Sequence, residues 1–111
     1  MMNAAQDMQP RVFAAPERVD AYNTRDLVGP IREAIEAGAR CVVLDLSRTQ
    51  SMDSTALGAL VQVLKLLRAE GGELRLAAVG DAVSRVLSIT RLDQVFGVYR
   101  TLDAACSPLR S

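Results

Sequence analysis

Residues 41–79 read CVVLDLSRTQSMDSTALGALVQVLKLLRAEGGELRLAAV, and this stretch decides the fold. Residues 41–46 are β-branched and almost wholly apolar, the composition of a central strand covered on both faces. A turn over 47–52 follows. Residues 54–69 carry the longest helical pattern in the chain, and Gly71 with Gly72 stops it. These glycines are no phosphate loop, because neither GxxxxGK[ST] nor GxGxxG occurs. Residues 74–79 form a second buried strand. Strand, helix and strand in this order predict an α/β domain with a small, mostly parallel sheet.

Upstream, RVFAA (11–15) reads as a short edge strand before Pro16, and residues 1–10 as a flexible leader. A helix starts at Asn23 or Thr24 and runs to about residue 37. Asp26 sits in its first turn, Leu27, Ile31, Ala34 and Ile35 form its apolar stripe, and Gly38 ends it. Pro30 predicts a kink or a shifted start. Downstream, Asp81 caps a third helix with Val83, Val86 and Leu87 on its apolar side. Residues 92–96 are a further turn or a loop, 98–100 a last short strand, and Thr101 caps a small helix. In LRLAA, alternation sends Arg75 to the sheet edge or to solvent. Cys41 belongs to the core, and Asp45 braces the turn after its strand.

The chain has 111 residues, half of them hydrophobic, which suffices for one core and leaves no room for a second. Thirteen basic side chains balance thirteen acidic ones, so no nucleic-acid partner is expected. The absence of His removes catalytic triads and imidazole metal sites, and two Cys are too few for a zinc cluster. No cofactor, metal site or catalytic residue is expected, and the chain reads as a non-enzyme. The most apolar stretch, 56–67, is well short of the roughly 20 residues that cross a bilayer, so no membrane insertion is expected. With few cysteines and no apolar signal segment, the expected location is cytoplasmic.

The segment Met52-Asp53-Ser54-Thr55-Ala56-Leu57-Gly58 lies where a strand hands over to the longest helix. At about 100° per residue, Leu57, Leu60, Val61, Leu64 and Leu67 fall on one arc. Ser54, Thr55, Gly58, Gln62 and Lys65 fall on the other, with Ala59 and Leu66 at its border. Ser54 thus points to solvent one turn before a residue with no side chain. Pattern alone leaves two readings open: a capped helix start, or an accessible hydroxyl that a partner and a kinase can reach. Ser54 does not read as a catalytic nucleophile, because no His exists to act as its base and Lys65, on the same face, lies three turns away.

In VVLDLS (42–47), the DS[ST]xLG signature (53–58), GGELRLA (71–77), RLDQVFGVY (91–99) and ERVDAYN (17–23), the chain resembles STAS domains of the anti-sigma factor antagonist type. The five segments agree in order, and the likeness covers roughly residues 11–105. It implies one STAS-like domain over 11–111, with a mixed, mostly parallel sheet of four to five strands and helices mainly on one face. It implies that the unphosphorylated protein binds an anti-sigma factor that is also a GHKL-type serine kinase. Phosphorylation on Ser54 then releases it, and a PP2C-type phosphatase restores it. Asp53, Thr55 and Asp20 would surround the phosphosite, and Gly58, Ala59, Gln62 and Leu66 would meet the partner. A STAS accessory subunit of an ABC-type membrane transporter is the alternative, and it often lacks the acceptor serine. Two departures stand out: Ala56 replaces the signature's usual Gly, and the family's first strand reads as short or missing.

Overall fold

The computed structural model describes residues 7–107. Strand β1 (Asp7–Ala14) and the two-residue β2 (Arg18–Val19) precede helix α1 (Thr24–Glu36). Then come β3 (Ala39–Asp45), a second two-residue strand β4 (Ser51–Met52) and the long α2 (Ser54–Ala69). The chain continues through β5 (Glu73–Ala77), α3 (Asp81–Ile89), a 3-10 turn (Leu92–Gln94), β6 (Gly97–Tyr99) and α4 (Leu102–Ala105). The main sheet has the order β1-β3-β5-β6, and every described pairing in it is parallel. β2 and β4 form a separate parallel pair.

Parallel strands need crossover helices, and those helices explain why β3 and β5 are apolar almost throughout. Val42, Leu44, Leu74 and Leu76 pack under α1, α2 and α3, among Ile31, Leu57, Leu60, Leu64, Val83 and Leu87. The other face carries Val43 and Ala77, covered by Ala105 with Tyr99, Leu102 and Cys106 around them. Cys41 is fully buried, as expected.

The leader expected over residues 1–10 is corrected by the pairing of β1. Asp7 pairs with Ala39 and Pro10 with Cys41, with an irregularity between them, so the strand begins well before RVFAA. Residues 1–6 of that expectation lie outside the described part of the chain. A proline is tolerated there because β1 is an edge strand that needs partners on one side only. The first strand of the fold is therefore present and eight residues long.

α1 starts at Thr24 and runs through Pro30 without a shifted start. Its N-cap, Asn23, makes no capping bond with its side chain. Gly38 ends the helix as expected, at φ 110°, where a Cβ would be strained. α2 closes with a pair of reversed hydrogen bonds, Gly72 N–H to Leu67 C=O at 2.7 Å and Gly71 N–H to Arg68 C=O at 3.1 Å. That is the Schellman arrangement, with Gly71 at φ 79°. At α3 the N-cap is Gly80 rather than Asp81. Asp81 is the first helical residue, so its carboxylate acts through the helix dipole and not through a cap bond. Thr101 caps α4 as expected, accepting from Ala104 N–H at 3.0 Å.

Arg75 departs furthest from its expected place. Its side chain is buried on the sheet face that α4 covers. Its Nε donates to Glu73 at 2.6 Å, and its guanidinium donates to the carbonyls of Ala105, at 2.9 Å, and Ser107. Its guanidinium carbon lies 5.4 Å from the centre of the Tyr99 ring. Burial pulls its pKa down, but the bond to Glu73 and the surrounding charges outweigh that, and the net shift is upward. Alternation along the strand was obeyed. What sequence alternation cannot show is that a helix some thirty residues later would cover that face with carbonyls facing the guanidinium.

Candidate functional site

The site is built around one carboxylate. Asp53 ends the β4 segment in extended conformation and caps α2, its Oδ1 accepting from Ala56 N–H at 2.9 Å. Its Oδ2 accepts from Ala21 N–H at 3.0 Å, across a sequence separation of 32 residues. Its own N–H donates to Val19 C=O at 3.1 Å, extending the β2–β4 pair by one step. Asp53 therefore ties the loop before α1 to the start of α2.

That loop is itself tightly bonded. Asp20 Oδ1 accepts from Tyr22 N–H at 2.9 Å and from Asn23 N–H at 3.2 Å, and its N–H donates to Asn23 Oδ1 at 2.8 Å. Thr24 N–H and hydroxyl both donate to Asp20 C=O. Asn23 Nδ2 donates to Arg18 C=O at 2.6 Å. Asp20 is thus a turn-building residue, an Asx-type arrangement brought next to the α2 start by the β2–β4 pairing. Asp45 plays the smaller version of this role expected of it, accepting from Ser47 N–H at 3.0 Å.

Ser54 is the first residue of α2 and is exposed. Its hydroxyl has no protein hydrogen-bond partner among the described residues. The Asp53 carboxylate takes the Ala56 amide and the Asp53 carbonyl takes that of Leu57 at 3.1 Å. The amides of Ser54 and Thr55 stay open at a positively polarised helix end. Thr55 is exposed as well, so exposure alone does not separate the two hydroxyls.

The residues expected to meet a partner do share one side of α2. Gly58 and Gln62 are exposed, Ala59 is half-buried against the core, and Leu66 is 41% exposed. From Ser54 to Leu66 this ridge runs about 18 Å at 1.5 Å per residue. Gly58 has nothing within 4 Å of where a Cβ would stand. Two features here escape a reading of the sequence: the Asp53–Ala21 bond, which joins distant segments, and the exposure of Tyr22, which only the loop geometry decides.

Asp53 supplies a direct test. Asp53→Ala removes the cap and the loop tie together and is expected to cost about 2 kcal/mol, the upper end of a lost cap. Asp53→Asn keeps an acceptor for the Ala56 amide and is expected to lose less than half of that. Thermal melts of both variants check the order.

The STAS domain family model matches residues 1–105. A Thermotoga maritima protein provisionally named as an anti-sigma factor antagonist is 36% identical over 78 residues, covering 70% of this chain and 69% of its own length. The anti-sigma-B factor antagonist of Staphylococcus aureus is 31% identical over 80 residues, covering 72% of this chain and 74% of its own. A solved Thermotoga maritima structure with the same provisional name has a TM-score of 0.74 at 28% identity, covering 85% of this chain and 83% of that one. A sulfate transporter family protein of Wolinella succinogenes also reaches 0.74, at 19% identity over 91% of this chain and 84% of its own, which is a likeness of fold alone. A parallel α/β sheet of this strand order, an Asp-capped central helix and a family match over nearly the whole length agree: the chain belongs to the STAS domain family.

Proposed function

We propose that the protein is an anti-sigma factor antagonist that works by partner switching. Unphosphorylated, it binds an anti-sigma factor of the GHKL serine-kinase type through the side of α2 that carries Ser54, Gly58, Ala59, Gln62 and Leu66. The kinase phosphorylates Ser54, the complex separates, and a metal-dependent PP2C-type phosphatase resets the protein. The observation that carries this reading is Ser54: an exposed hydroxyl at the first position of α2, directly after the capping Asp53, with open backbone amides and the side-chain-free Gly58 beside it. The names of the relatives support the antagonist role. No described helix is long and apolar enough to cross a membrane. The domain acts as a regulator by binding and is itself the substrate of the kinase and the phosphatase.

The transporter-subunit reading shares this fold, so the fold does not separate the two. Curated sequence relatives at 31–36% identity favour the antagonist. Incubation with the anti-sigma factor kinase and Mg-ATP, followed by peptide mass spectrometry, is expected to place one phosphate on Ser54. Phosphate on Thr55 alone, or capture of an ABC-type ATPase in place of the kinase, would overturn the assignment.

Gly58→Arg tests the docking ridge. Open space around Gly58 means that the arginine buries nothing, and Arg suits a helix interior better than Gly by up to about 1 kcal/mol. The melting temperature is expected to hold while kinase binding and phosphorylation are both lost. Native affinity in the folded variant would move the interface elsewhere.

A further inference from the structure

Among the described residues, Tyr22 is the most exposed of the large hydrophobic side chains, at 96%. Its backbone is nonetheless held firmly, because its N–H and the next one both donate to Asp20 Oδ1. The residue before it donates to Asp53 Oδ2, and the residue after it anchors to Arg18 C=O and to Asp20 N–H. A ring in open solvent contributes nothing to the core, so the fold has no use for an aromatic here. A rigid loop that displays one has little ordering left to lose on binding. Tyrosine is also among the residue types that dominate interface energetics.

We infer that Tyr22 is a second anchor for the partner that covers Ser54, and that it inserts into an apolar pocket on the anti-sigma factor. This rests on the functional reading above and extends it to a residue outside α2. Continuity carries the inference: the Tyr22 loop and the α2 start are clipped together by Asp53, so a partner seated over Ser54 and Gly58 meets the ring as part of the same rigid surface.

The chain has two tyrosines, and Tyr99 is half-buried against Arg75. Acetylation by N-acetylimidazole therefore reports chiefly on Tyr22. With the purified anti-sigma factor kinase bound, Tyr22 is expected to be protected. Tyr22→Ala is expected to weaken binding roughly thirty-fold with an unchanged melting temperature, and Tyr22→Phe to retain most of the affinity. If the wild-type chain binds the kinase and is phosphorylated on Ser54 while Tyr22 stays fully reactive, or Tyr22→Ala binds as wild type, the anchor is overturned and the functional reading stands. If the wild-type chain does not bind the kinase, the functional reading falls and the anchor falls with it.

Discussion

Phosphorylation of Ser54 is expected to weaken the complex with the anti-sigma factor kinase about 100-fold, roughly 3 kcal/mol, and to leave the domain's melting temperature nearly unchanged. Both halves follow from the geometry of the α2 start. The serine hydroxyl is exposed and bonded to no other described residue, so adding a phosphate displaces none of the described contacts. The open amides of Ser54 and Thr55, at the positive end of the helix, offset part of the new charge. In the complex the same dianion must be stripped of water beside the Asp53 carboxylate, a cost that the two amides offset only in part. Ser54→Asp carries less charge and fewer acceptor oxygens and is expected to weaken binding by a smaller factor, while Ser54→Ala binds as wild type. Titration calorimetry on the four forms decides. Equal affinity for the phosphorylated and unmodified chains would remove charge at Ser54 as the switch.

Gly72→Ala is expected to be a severely damaging single methyl, lowering the melting temperature by roughly 15 °C. A Cβ at Gly72 would stand 2.2 Å from Arg40 O and 3.0 Å from Arg40 C. Those are backbone atoms of β3, a strand paired on both sides, and cannot swing away as a side chain tip does. The Gly72 amide is also the one that closes α2 on Leu67. Relieving the clash means moving the α2–β5 connection off the sheet, at about 3 kcal/mol, with each kcal/mol worth about 4–8 °C in a domain of this size. Gly71→Ala is the control. Its site is open, so only the positive φ is penalised, at about 1 kcal/mol. A Gly72→Ala variant melting within about 3 °C of wild type would show that this close approach does not constrain the fold.

The centre of the fold was legible because its signals are local. A β-branched run covered on both faces, an Asp–Ser start, an apolar arc at helical spacing and a glycine pair are each complete within a few residues. β1 was half hidden, because Pro10 and its polar neighbours speak against a strand and only edge pairing to β3 admits them. β2 and β4 hold two residues each, too few for any period to show. Of the site, the ridge from Ser54 through Gly58 and Gln62 to Leu66 could be read from helical spacing alone. Asp20 was placed near Asp53 only by likeness to a family. The bond that brings its loop there joins Ala21 to Asp53, and nothing local in either segment announces the other.

The burial of Arg75 bears on how the chain emerges during synthesis. The pairing of β1, β3 and β5 needs only residues up to Ala77, and the core beneath α1 and α2 can close at that stage. The opposite face waits. Until residues 102–107 leave the ribosome, Val43, Ala77 and the Arg75 guanidinium lack the cover of α4 and have Tyr99 alone beside them, with Glu73 the one described acceptor of Arg75 already in place. In that interval the half-covered sheet face is most open to neighbouring nascent chains. A fixed charge in the middle of that face favours its hydration until the carbonyls of Ala105 and Ser107 arrive to replace the water.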